Sequence, residues 1–66
     1  MVHNLIKEIR ESRLMSKNEL AKMAGVSPIT VDRIEKGMAC RISTKRKLLF
    51  ALGYGLEDRS KVFPRD

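Results

Sequence analysis

The sequence predicts an all-α domain of four helices and a short fifth turn, with all 66 residues in one unit. Apolar residues recur at helical spacing, and no alternation of apolar and polar residues persists beyond a few positions. Side-chain caps at Ser16 and Ser27 and glycine stops at Gly25, Gly37 and Gly53 divide the chain into helix-sized pieces. A chain of this length buries only ~60% of its unfolded surface. The 42% hydrophobic fraction therefore feeds one small core, with no deep active-site cleft.

The first helix is expected over about residues 3–13, where Leu5, Ile6 and Ile9 form one apolar stripe with Lys7, Glu8 and Glu11 outside it. Leu14 and Met15 lead into a short connection. Ser16 then caps a second helix over about 17–24, and Glu19 completes a capping box. That helix buries Leu20, Ala21 and Ala24 and stops at Gly25, which takes a positive φ most cheaply. Val26 is a buried link, and Ser27 caps a third helix over about 28–36 that has Pro28 in its first turn and Gly37 as its stop. Two helices of this length joined by a short Gly-containing turn make a helix-turn-helix unit. A fourth helix is expected over about 44–52, starting near Ser43 or Thr44 and ending at Gly53. Its three consecutive cations, Lys45, Arg46 and Lys47, precede five apolar residues, Leu48 to Leu52, that cover every side. This is a core helix whose N-terminus reaches the surface. Residues of about 57–61 form a last short turn before Val62, Phe63 and Pro64.

The formal charge of +6 is unevenly placed. Residues 1–35 carry six basic and five acidic side chains, a net +1; residues 36–66 carry eight basic and three acidic, a net +5. No acid lies between Glu35 and Glu57. Such a run reads either as a solubilising face or as the footprint of an acidic partner. The single cysteine, Cys40, excludes an intramolecular disulfide and fits a reducing interior, so the cytoplasm is the expected location. No segment is apolar for the ~18 residues of a membrane span, and the N-terminus lacks a signal-peptide apolar run.

Laid out at 100° per residue, the third helix separates two faces. Val31 and Ile34 share the core side, whereas Ile29, Arg33 and Lys36 point away, with Thr30 and Asp32 on the flanks. The outward isoleucine is either a single exposed apolar residue or a contact for a thymine methyl; Arg33 can offer two N–H groups to guanine O6 and N7.

Ala21, Gly25 and Val31 at spacing A-x3-G-x5-V, framed by Leu20, Val26-Ser27, Ile34-Glu35 and Gly37, resemble the Cro and phage-repressor (xenobiotic-response-element) helix-turn-helix family over about residues 5–56. The resemblance implies a lambda-repressor-like fold and double-stranded DNA as partner. It implies base contacts from Pro28, Ile29, Thr30 and Arg33, and phosphate contacts from Lys17, Ser27, Lys36, Arg41, Thr44, Lys45 and Arg46. It also places Arg10 and Glu35 as an ion pair between the first and third helices. Two departures bear on readout. Lys17 stands where the family often has Gln, and Pro28-Ile29 replace residues that often hydrogen-bond to bases. Base reading then rests chiefly on Arg33 and Thr30, with methyl contact supplying more of the discrimination.

One electrostatic feature supports DNA without the resemblance. Three cations at the start of the fourth helix oppose its macrodipole, an arrangement that a bound phosphate would make favourable. Catalysis has little support: His3 and Cys40 are single copies, and no metal-ligand spacing or phosphate loop occurs. No cofactor or metal is expected. Glu8 and Glu11 read as solvated surface, and Cys40 beside Arg41 as either a loop thiol or a redox-sensitive one. The three aromatics, Phe50, Tyr54 and Phe63, provide no stacking platform for single strands. Tyr54, Leu56, Val62 and Phe63 either close the core or form a two-fold interface. A homodimer is expected, because one recognition helix reads too few base pairs. The sequence points to a transcriptional regulator, a repressor by expectation. The alternative is a protein-binding module, such as an antitoxin-like subunit with secondary DNA binding.

Overall fold

Local hydrogen bonds encoded in the sequence set the starts of the second and third helices. The computed structural model describes residues 4–64. In order these form α1 (Ile6–Ser12), α2 (Lys17–Ala24), α3 (Pro28–Glu35), α4 (Ile42–Ala51), a 3₁₀ turn (Leu56–Asp58) and α5 (Arg59–Val62), with no strand among the described residues.

The first helix starts later than its expected span of about 3–13; residue 3 itself lies outside the described residues. Asn4 is the cause. Its Oδ1 accepts the Ile6 N–H at 3.2 Å, and its Nδ2 donates to the Ile34 carbonyl at 2.7 Å, so this buried amide fixes the start of α1 against the end of α3. Leu14 reverses the chain after α1 with a φ of 55° and is 93% exposed. Left-handed backbone costs an L-residue about 1–2 kcal/mol, and here no buried contact offsets it. Leu14→Gly is expected to stabilise the fold by about 0.5–1 kcal/mol, net of glycine's extra chain entropy. Thermal unfolding checks this, since a midpoint that fails to rise would leave the Leu14 conformation unstrained.

Both expected caps form. The Ser16 hydroxyl accepts the Glu19 N–H at 3.0 Å while the Glu19 carboxylate accepts the Ser16 N–H at 2.9 Å. Gly25 then turns left-handed at φ 73°, and the Ser27 hydroxyl accepts the Thr30 N–H at 3.2 Å to open α3 on Pro28. Lys36, expected inside α3, is its C-cap. The expected Ser43 or Thr44 start of α4 is corrected to Ile42. Arg41 is the extended cap residue, its carbonyl accepts the Lys45 N–H at 3.0 Å, and no side chain caps this end. Packing anchors α4 from its other half, so Ser43 and Thr44 fall inside the first turn. Its C-terminal bound is also one residue short of expectation, with Leu52 as C-cap.

The core gathers Ile6 of α1, Leu20, Ala21 and Ala24 of α2, Val31 and Ile34 of α3, and Leu48, Leu49 and Leu52 from α4 and its cap. Val62 and Phe63 complete it. The tail therefore closes the core of its own subunit, and the Leu5 N–H donates to the Val62 carbonyl at 2.8 Å to join the two ends of the fold. Of the expected α1 stripe only Ile6 is fully buried; Leu5 and Ile9 are half-buried. The apolar run of α4 is not buried all round either. Leu48, Leu49 and Leu52 face inward, whereas Phe50 is 54% exposed.

Candidate nucleic-acid interface

The orientation of α3 follows from its two buried residues. Val31 and Ile34 enter the core, which turns Ile29, 63% exposed, and Arg33 to solvent, with Pro28 also exposed and Thr30 half-buried. The Thr30 hydroxyl lies 2.9 Å from that of Ser27. Part of its hydrogen-bonding capacity is therefore used in the cap, leaving its methyl group and a remaining lone pair for other contacts.

A buried ion pair holds α3 against α1. Arg10 Nε donates to Glu35 Oε2 at 2.7 Å, its Nη2 to Oε1 at 3.2 Å, and its Nη1 to the Met15 carbonyl at 2.9 Å. The two side chains are only 9% and 4% exposed. The hydrogen bond to Glu35 raises the already high pKa of the guanidinium. Arg10 and Glu35 thus position the exposed face of α3 and do not belong to that face.

A second cluster sits on the flank of α3, where Asp32 Oδ1 is 2.5 Å from Lys17 Nζ and Oδ2 is 2.9 Å from Lys36 Nζ. Two of the expected phosphate ligands on this side, Lys17 and Lys36, are thus turned onto one carboxylate. Lys17 and Lys36 lower the Asp32 pKa to about 2, from an ordinary value of 3.8. A carboxyl whose folded pKa is depressed contributes stability above its unfolded pKa and loses it as pH falls through the folded value. The Asp32 bridge is therefore expected to hold down to about pH 3 and to be half open near pH 2, which a carboxyl ¹³C titration would follow. A midpoint near 3.8 would show the bridge absent in solution.

The other expected cationic phosphate ligands gather at the start of α4. Arg41 and Arg46 are exposed, while Thr44 and Lys45 are half-buried, with the Lys45 ammonium 5.5 Å from the centre of the Phe63 ring. Lys45 and Arg46 line a cavity of about 250 Å³ with Ile42, Leu49, Leu56, Arg59 and Phe63. The first turn of α4 contains no acidic residue and no side-chain cap. Its free N–H groups, dipole and cations all favour an anion there.

The expected site residues thus fall into two groups, one on α3 and its flank and one at the α4 N-terminus. Two residues with positional roles were missed in the sequence. Asp32 carried a readable signal, its i, i+4 spacing to Lys36, but its partner Lys17 is fifteen residues away. Asn4 carried none, since its acceptor lies thirty residues on. Among the described residues no three of His, Cys, Asp and Glu cluster as metal ligands, and no helix is long and apolar enough to cross a membrane.

No curated protein sequence matches the chain. A solved structure similar to it is an HTH_3 family transcriptional regulator from Vibrio cholerae, with 28% sequence identity and a TM-score of 0.74. The match covers 83% of this chain and 32% of the other, so the chain spans about a third of that protein's length. The profile of the helix-turn-helix family HTH_3 matches residues 6–58, from the first residue of α1 through the 3₁₀ turn. That span takes in the capped turn, the buried faces of α2 and α3 and all of α4, and the chain belongs to this XRE-type helix-turn-helix family.

Proposed function

We propose that this chain is a DNA-binding transcriptional regulator, a repressor, that lays α3 in the major groove of duplex DNA. The observation that carries the reading is the division of α3 into a buried Val31–Ile34 face and an exposed Ile29–Arg33 face. Arg33 reads guanine, Ile29 meets thymine methyls, and Pro28 and Thr30 border them. Ser27, Lys17 and Lys36 on the flank of α3, and Arg41, Thr44, Lys45 and Arg46 at the uncapped start of α4, take phosphates on either side. The printed title of the similar Vibrio cholerae structure, a transcriptional regulator, supports the same assignment.

The working unit is a homodimer in the cytoplasm, since one α3 spans too few base pairs for useful specificity. Val62 and Phe63 are committed to the core, so of the four apolar tail candidates Tyr54 and Leu56 are left for a two-fold contact. No catalytic role and no cofactor enter this reading. The second reading, an antitoxin-like module that binds a protein partner, draws on exposed Ile42, Phe50 and Leu56.

Gel-shift titration over a range of salt separates the two. A specific regulator gives tight binding to some fragments, with a log–log salt slope of several units, each neutralised phosphate contributing about −0.9. Equal, weak binding to every fragment would contradict it and leave the protein-binding module.

A further inference from the structure

We propose that Asp32 is an internal counter-anion that holds Lys17 and Lys36 together as one two-lysine phosphate seat and competes with DNA phosphate for it. The inference rests on the DNA-binding reading above and adds a residue that lowers affinity. Lys17 is the first residue of α2 and Lys36 the cap of α3, and one carboxylate spans their ammonium groups. Each takes a different oxygen of Asp32, at 2.5 and 2.9 Å. Two non-ester oxygens of a phosphate diester would bridge the pair in the same way. All three side chains are solvent-accessible, with 41%, 32% and 70% of the Lys17, Asp32 and Lys36 side chains exposed. Exposed ion pairs of this kind add little to stability, so holding the fold together is a weak reason for the cluster. The depressed Asp32 pKa keeps the competitor charged at every physiological pH. A phosphate entering the seat must displace the carboxylate, which then recruits a cation from solution and offsets one counterion released from DNA.

Asp32→Asn removes the competitor and leaves both lysines. Binding measured by fluorescence anisotropy on a random duplex and on a preferred duplex should tighten about five- to tenfold on both near ~0.1 M salt, with the log–log slope steeper by about one. Within a Lys17→Gln, Lys36→Gln background the same substitution should lose most of that gain. In the wild type the Asp32 carboxyl ¹³C resonance should shift when duplex saturates the protein, a readout independent of how the variants fold. No gain on either duplex, a gain that persists undiminished without the two lysines, or an unmoved wild-type resonance would overturn the proposal. So would a loss confined to the preferred duplex, which would make Asp32 a base reader. If wild-type protein binds no duplex at all, the DNA-binding reading itself fails; if it binds and Asp32→Asn changes nothing, only the role of Asp32 does.

Discussion

Arg10→Ala is expected to destabilise the fold by about 3–5 kcal/mol, because it strands the Glu35 carboxylate in a site where only 4% of that side chain reaches solvent. A domain of this size has a total stability of roughly 3–10 kcal/mol at ~0.05–0.15 kcal/mol per residue. A large fraction of the variant should therefore be unfolded at 25 °C, as urea titration followed by circular dichroism would show. The loss has three parts: the bidentate bond to Glu35, the bond from Nη1 to the Met15 carbonyl, and the packing of the aliphatic stem. Replacing both partners with apolar residues, Arg10→Met with Glu35→Leu, should recover most of the stability, since the burial penalty falls on the unpaired charge. A loss below about 1 kcal/mol for Arg10→Ala would mean that the pair is solvated and does not set the angle of α3.

Arg33→Ala is expected to weaken binding to the preferred duplex by about 1–3 kcal/mol, roughly five- to 150-fold, and to relax preference at one or two base positions. Arg33 is exposed and lies on the face opposite Val31 and Ile34, so its removal should leave unfolding unchanged. Lys45→Ala provides the contrast. Loss of a phosphate contact at the start of α4 should weaken binding to preferred and random duplexes alike and reduce the salt slope by about one. Equal losses on both duplexes for Arg33→Ala would remove it from base readout.

Local signals in the sequence foretold much of this architecture. The capping box of Ser16 and Glu19, the Ser27–Pro28 start and the Gly25 turn each depend on residues within a few positions, and each forms. Ends governed by distant partners were harder to place. Asn4 delays α1 by bonding to Ile34, and α4 begins at a residue without a cap because Leu48, Leu49 and Leu52 anchor it from behind. The five apolar residues of α4 also misled, since consecutive positions on a helix diverge by ~100° and Phe50 faces solvent. For the candidate site, the α3 faces were legible from periodicity. The Lys17–Asp32–Lys36 bridge was not, because it depends on how α2 crosses α3.

The central claim is that α3 reads DNA sequence, and selection of bound duplexes from a random pool tests it most directly. A regulator acting as proposed should enrich a two-fold related motif with half-sites about one helical turn apart, and Arg33→Ala should blur a guanine in each half. A pool that stays random after repeated rounds, with binding intact, would contradict sequence reading by α3.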